Sequence, residues 1–150
     1  MGYIEAISIS EKKGIVKREI HFATLIQDWG IEGDAHAGNW HRQVSLLAGE
    51  SIDVVKEKMP KLAIGAFAEN IITRGIDLVS IKVGNRLKLA GHAILEITQI
   101  GKECHNACAI KKETGDCIMP REGVFAKVIS GGKIQPGDAI FPEQTDQFKR

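Results

Sequence analysis

Residues 84–100 read Gly-Asn-Arg-Leu-Lys-Leu-Ala-Gly-His-Ala-Ile-Leu-Glu-Ile-Thr-Gln-Ile, and their alternation decides the class of fold. Leu87 and Leu89 alternate with Arg86 and Lys88, and Ala93, Leu95 and Ile97 alternate with Ile94, Glu96 and Thr98. Successive side chains of a strand point to opposite faces, so each run offers one face to a core. The Gly91-His92 pair between them supplies a turn, and the stretch reads as a β-hairpin. Upstream, Ile7 and Ile9 set against Ser8 and Ser10 predict another strand with one wet face. Further strand candidates are 18–27, 42–47, 69–74, 123–130 and 137–141, separated by Gly30, Gly33, Gly38, Gly75, Gly84, the Gly131-Gly132 pair and Gly137. Short strands at close spacing predict a mainly β chain wound into a twisted barrel.

One or two short helices complete the expectation. Ile52, Val55, Met59 and Leu62 recur at helical period, with Glu50 and Asp53 early and Lys56 and Lys58 late, the charge order that suits a helix dipole. Pro60 should end or kink that helix, because it lacks an N–H and crowds the preceding turn. A second short helix is expected over 105–113. At 150 residues the chain has the length of one domain with one core, assigned to 1–141, and 142–150 reads as a frayed tail.

Composition narrows the function. With 20 Lys+Arg against 19 Asp+Glu the net charge is +1, so no global field draws the chain to nucleic acid or to an anionic membrane. Eight scattered aromatics provide no close-set platforms for stacking single-stranded bases. No apolar run approaches the ~20 residues of a membrane span, and the first residues lack the pattern of a secretory signal, so a cytoplasmic protein is expected. Cys104, Cys108 and Cys117 are the three cysteines, an odd number gathered in one stretch, which is not the pattern of a secreted disulfide framework.

Several stretches could carry chemistry. Cys104, Cys108 and Cys117 with His105 or His92 would make a Cys3His zinc set, although the cysteine spacing is not that of a zinc knuckle. Alternatively Cys104, between Lys102 and His105, is a thiolate nucleophile or soft-metal ligand, since neighbouring cations lower a thiol pKa; three small buried hydrophobes are the plain alternative. The glycine-rich run 30–42 brings Asp34, His36, His41 and Arg42 into one connection, read either as a ligand loop or as a structural turn. Glu69 and Asn70 could read the polar edge of a heterocycle or close a surface turn. Arg121 could clamp an oxyanion or stand in solvent.

Taken in order, Gly-Ile-Glu-Gly-Asp-Ala-His-Ala-Gly (30–38), Arg-Gln-Val-Ser-Leu-Leu (42–47), Gly-Ala-Phe-Ala-Glu-Asn-Ile-Ile-Thr-Arg-Gly-Ile-Asp-Leu (65–78), Val-Gly-Asn-Arg-Leu (83–87) and Ile-Thr-Gln-Ile-Gly-Lys-Glu-Cys (97–104) resemble the MOSC domain. That family is named from the C-terminal domain of molybdenum cofactor sulfurases, and the likeness runs over 4–141, nearest to the small stand-alone bacterial type. The resemblance implies a twisted β-barrel and a role in molybdenum cofactor or sulfur chemistry. It places the family cysteine on Cys104, as persulfide carrier or molybdenum ligand, with Lys102 or His105 keeping the thiolate and Cys108 available to release sulfur by exchange. Lys102, Arg121, Arg42 and Arg74 would face the cofactor's anionic groups, and Asp34, His36, Glu69 and Asn70 would shape the pocket or bind the pterin. Many relatives carry Pro-Arg-x-Pro before the cysteine and an arginine at position 35; here the residues are Ile100-Gly101-Lys102-Glu103 and Ala35.

The activity implied is that of a sulfur transferase or a molybdenum-cofactor-dependent reductase. Its partners would be a small-molecule cofactor or substrate and a sulfur-donor or redox protein. Pyridoxal phosphate is not expected, since the chain has no counterpart of the aminotransferase-like domain of the full sulfurases. A passive pterin- or molybdenum-binding module and the small zinc protein are the other readings.

Overall fold

The hairpin of 84–100 forms as β7 (Arg86–Leu89) and β8 (Ala93–Ile100), with Leu87 opposite Leu95 and Leu89 opposite Ala93. Its turn lies one residue earlier than the Gly91-His92 pair. Ala90 and Gly91 both take positive φ, and the His92 N–H donates to the Leu89 carbonyl, the mirror-image turn whose twist matches its flanking strands. The computed structural model describes residues 2–13, 15–101 and 122–143. The other elements are β1 (Gly2–Ile9), β2 (Arg18–Ile20), β3 (Ala23–Ile26), β4 (Gly30–Ile31), β5 (Val44–Ala48), α1 (Gly49–Lys56), β6 (Ile71–Arg74), β9 (Val124–Ser130), β10 (Gly132–Ile134) and β11 (Ala139–Glu143).

Seven strands close a barrel in the order β11-β7-β8-β9-β5-β6-β1, sealed by the β1–β11 pairing of Gly2 with Ile140 and Tyr3 with Ala139. β2 adds an eighth strand on the β1 edge, and β10, β3 and β4 form a small separate sheet. The expected strand at 18–27 is therefore two strands: at His21 and Phe22 the chain leaves the barrel sheet for the small one. β11 runs two residues past position 141, where Pro142 and Glu143 pair with Leu87 and Arg86; the remainder of the expected tail, 144–150, lies outside the described residues.

β5 and β6 are parallel, a pairing that needs a crossover, and α1 with the loop after it makes the crossing. All five residues of β5 are buried, because one face looks into the barrel and the other lies under this crossover. Inside the barrel pack Ile4, Leu46, Ile71, Leu87, Leu95, Ile97 and Val128. A second cluster, Ala6, Leu47, Ile52, Leu62, Phe67, Ile72 and Phe125, cements the crossover to the outer wall. The helix stops at Lys56, the residue four before Pro60 whose carbonyl a proline ring would strike. Met59 and Leu62 still reach the second cluster from the turns that follow. The same cover corrects the reading of β1: Ser8 and Ser10 do not face water but are buried, 1% and 5% exposed. The expected second helix over 105–113 lies outside the described residues.

Candidate functional site

Ser10 is buried because the chain folds a lysine over it. Lys17, its side chain wholly out of solvent, points Nζ at three acceptors: Asp34 Oδ1 at 2.8 Å, Ser10 Oγ at 3.0 Å and His36 Nδ1 at 3.0 Å. An ammonium has three protons, and all three are matched. Asp34 is equally buried and also accepts the backbone N–H of Ser10 at 3.0 Å and of His36 at 3.1 Å. The glycine-rich run is thus pinned to β1 through one carboxylate. Gly30 lets the run begin: at φ +134° it brings its backbone to where a Cβ would lie 2.8 Å from the Gln43 carbonyl. Lys17 carried no signal in the sequence, where it stands between Ile15-Val16 and the charged pair Arg18-Glu19.

Beyond His36 the run builds a cationic and aromatic cluster. The His36 and Trp40 rings are parallel with centroids 6.3 Å apart, and Trp40 Nε1 donates to the His36 carbonyl at 2.7 Å. Lys13 Nζ lies 4.3 Å from the centre of the Trp40 ring and the Arg42 guanidinium 4.8 Å; Arg42 is also 5.6 Å from the Phe125 ring. Such faces attract cations. Arg42 Nε is buried and finds no hydrogen-bond partner among the described residues. His41 Nε2 meets Gln99 Oε1 at 2.8 Å, and Gln99 Nε2 donates to the Gly101 carbonyl at 2.7 Å. The Thr98 hydroxyl lies against the His41 carbonyl, and the Gly101 N–H donates to the Gly123 carbonyl at 2.6 Å. Arg42 therefore sits beside the end of β8, where the described chain runs up to Gly101.

The remaining sequence candidates lie elsewhere. Glu69 is fully buried, and its carboxylate accepts the N–H groups of Gly65 at 2.8 Å and Phe67 at 3.0 Å, closing the loop before β6. Burial pushes its carboxyl above the ordinary value, against the pull of those donors and of Lys17. Asn70 is buried too; its Oδ1 accepts the Ser45 N–H at 2.9 Å and its Nδ2 donates to the Ser8 carbonyl at 3.0 Å, tying β5 to β1. Arg74 spans Glu5 at 2.9 Å and Asp53 at 2.6 Å beside α1, which holds the Asp53 carboxyl below, and the guanidinium above, its ordinary range. The structure thus brings Asp34 and His36 together, joins Arg42 to them through Trp40, and places Arg74 in an ion-pair network of its own.

Lys102, Cys104, His105, Cys108, Cys117 and Arg121 lie outside the described residues. Among the described residues no three of His, Cys, Asp and Glu gather as a metal site. His92 has its ring nitrogens 3.0 Å from the Ala90 and Lys133 carbonyls. No helix among the described residues is long and apolar enough to cross a membrane.

The family model of the MOSC domain matches residues 32–141. The chain belongs to the MOSC domain family. Solved structures carry the same fold: YuaD from Bacillus subtilis is 21% identical at a TM-score of 0.77, with 93% of this chain and 94% of that one covered. YiiM from Geobacillus stearothermophilus is 16% identical at 0.70 over 96% and 76% of the two chains, and YiiM from Escherichia coli is 16% identical at 0.65 over 95% and 70%. No curated protein matches the sequence. In this MOSC domain the barrel, the glycine-rich run and the end of β8 converge on Arg42, Trp40 and Gln99.

Proposed function

We propose that this MOSC domain binds a molybdenum cofactor, with Cys104 as the thiolate ligand and Arg42 as the receptor for an oxyanion group of the cofactor. The observation that carries the reading is the Arg42 Nε–H, buried between two aromatic rings and lacking an acceptor among the described residues. A buried donor without a partner costs about 1–3 kcal/mol, and a phosphate or oxo oxygen is the acceptor that would recover it. Cys104 follows Gly101 by three residues, so chain connectivity alone keeps the two Cα atoms within about 11 Å. The unmatched Arg42 donor therefore suits an anionic group, and the thiolate ligand is what the family resemblance adds. When bound, the cofactor would supply oxygen- or sulfur-atom exchange at the metal.

The chain's own residues divide the work. Arg42 binds charge, Trp40 and Phe125 hold the guanidinium plane, and Gln99 orients His41 while anchoring Gly101. Lys102 and Arg121, at the positions suggested by resemblance, add positive charge that favours the Cys104 thiolate. The partners on this reading are a small-molecule substrate and a sulfur-donor or redox protein. A second reading, a sulfur carrier, is favoured by the further thiols at Cys108 and Cys117. There the Cys104 thiolate attacks the outer sulfur of a donor persulfide and the donor leaves as its thiolate.

Metal and cyanide-labile sulfur analysis of protein purified from a molybdenum-replete host tests both. Molybdenum present in the wild type, lost in Cys104→Ser and reduced in Arg42→Gln, is the expected result. Labile sulfur without molybdenum, lost in Cys104→Ser, selects the carrier. Stoichiometric zinc alone, or a Cys104→Ser variant loaded like the wild type, overturns the proposal.

A further inference from the structure

The ladder between β8 and β9 ends at the pairing of Ile94 with Ser130. Past it the chain continues through Gly131 into β10, which pairs with β3 instead. Where the two sheets part, the side chain of His92 in the β7–β8 turn bridges them. Its Nδ1 lies 3.0 Å from the Ala90 carbonyl oxygen of its own turn, and its Nε2 lies 3.0 Å from the Lys133 carbonyl oxygen on β10. The ring enters against bare backbone: a Cβ on Gly132, at φ +144°, would lie 2.3 Å from His92 Cδ2 and 2.5 Å from Nε2. Glycine is required at 132 both by its dihedral and by the ring it admits.

A carbonyl oxygen only accepts, and a neutral imidazole has one N–H to give. In the neutral ring one nitrogen lone pair therefore faces a carbonyl lone pair, whereas the imidazolium donates from both nitrogens at once. His92 is exposed, so solvent supplies and removes the proton. Charged groups around it have other partners: Arg86 pairs with Glu96 at 3.0 Å, Lys133 Nζ lies 4.5 Å from the centre of the Phe22 ring, and Asp138 Oδ2 accepts the Gln135 N–H at 2.8 Å. Lys88 on β7, Lys127 on β9 and Glu143 on β11 are the other charged residues of the adjoining strands. Among the described residues no carboxylate forms an ion pair with His92.

We propose that His92 is a proton-operated clamp: as the imidazolium it ties the β7–β8 turn to β10 with two hydrogen bonds, and on losing a proton it gives one of them up. β3 lies between β10 and β4, and β4 opens the glycine-rich run. The clamp therefore fastens the sheet that supports that run to the barrel more firmly in acid than in base. In the clamped form neither ring nitrogen keeps a lone pair for a metal, which withdraws His92 from the Cys3His zinc set.

Carbon-13 shifts of the Ala90 and Lys133 carbonyls, recorded with long-range nitrogen–proton spectra of the His92 ring from pH 5 to pH 8, across the ordinary imidazole value of about 6.5, test this. Both carbonyl shifts should move with the same midpoint as the ring nitrogens. Protection of the β10 and β3 amides, taken from hydrogen exchange after correction for its intrinsic pH dependence, should fall about threefold or more from pH 5 to pH 8, the ordinary worth of one hydrogen bond. In His92→Gln, whose amide does not titrate, that protection should stay level. A Lys133 carbonyl that ignores the titration of the ring, or wild-type protection that stays level or rises with pH, overturns the proposal without need of any variant. A fall that persists unchanged in His92→Gln belongs to another group and overturns it as well.

Discussion

Replacing Lys17 by methionine removes the positive half of a fully buried ion pair while keeping a chain of similar length. The carboxylate of Asp34 then loses the Lys17 contact at 2.8 Å but retains the Ser10 and His36 N–H groups at 3.0 and 3.1 Å. Breaking a buried pair from one side costs about 3–5 kcal/mol, and the two surviving donors place this variant near the lower figure. A loss of about 3 kcal/mol corresponds to a fall of about 1.5 M in urea midpoint at a slope of about 2 kcal/mol/M. In thermal unfolding it corresponds to about 6–12 °C for a domain of this size. Equilibrium urea unfolding, followed by Trp29 and Trp40 fluorescence and by circular dichroism, measures it. The cause is isolated by adding Asp34→Asn. With both charges gone the double variant should be more stable than Lys17→Met alone, by about 1 kcal/mol or more, because the stranded charge is removed. A single variant that costs less than about 1 kcal/mol, or a double variant that loses the sum of the two singles, would refute the assignment of Lys17 and Asp34 as one coupled unit.

Gly65→Ala should be among the most damaging glycine changes, since its φ is +88° and a Cβ there would sit 2.1 Å from the Lys17 carbonyl oxygen; a loss of about 2–5 kcal/mol in unfolding free energy is expected from strain and overpacking together. Glu69 titrates above its ordinary value of 4.5 because burial disfavours its charge, so the folded state holds this proton more tightly than the unfolded chain does. Its contribution to stability is then complete below the ordinary value and is lost as pH rises through the raised one; subtracting the stability profile of Glu69→Gln from that of the wild type between pH 4 and 8 should show that downward slope, and a flat or rising difference contradicts it. The Asp53 carboxyl is held low first by its hydrogen bond to Arg74, so in Arg74→Gln its titration midpoint, read by carbon-13 chemical shift, should climb toward the ordinary carboxylate value; an unchanged midpoint would remove Arg74 as the cause.

Alternation along residues 84–100 was enough to place β7 and β8, and Pro60 enough to say where the helix could not continue, because both follow from neighbours a few residues apart. The MOSC resemblance extended this to the barrel as a whole, and the family match over 32–141 agrees. Burial was harder to read. Ser8 and Ser10 look like the wet face of a strand, and the strand itself says nothing of the loop before β6 or of Lys17, which cover that face from later in the chain. Within the candidate site, Arg42 and His36 were visible as polar residues in a glycine-rich run, but their chemistry was not. Arg42 meets Phe125 only when β9 pairs with β5, and His36 meets Lys17 only when the chain folds that lysine beneath the glycine-rich run. Glu69 shows the same division: a carboxylate in a turn is legible from sequence, whereas its role as acceptor for two loop N–H groups depends on the backbone already being closed.

The sequence by itself therefore determined the strand and helix periods, the family and the set of polar groups available for chemistry, since each is a property of residue order. Tertiary structure alone decided which of those groups are matched and which are left with a donor to offer, because hydrogen-bond satisfaction in a low-dielectric interior depends on partners that only the closed barrel assembles.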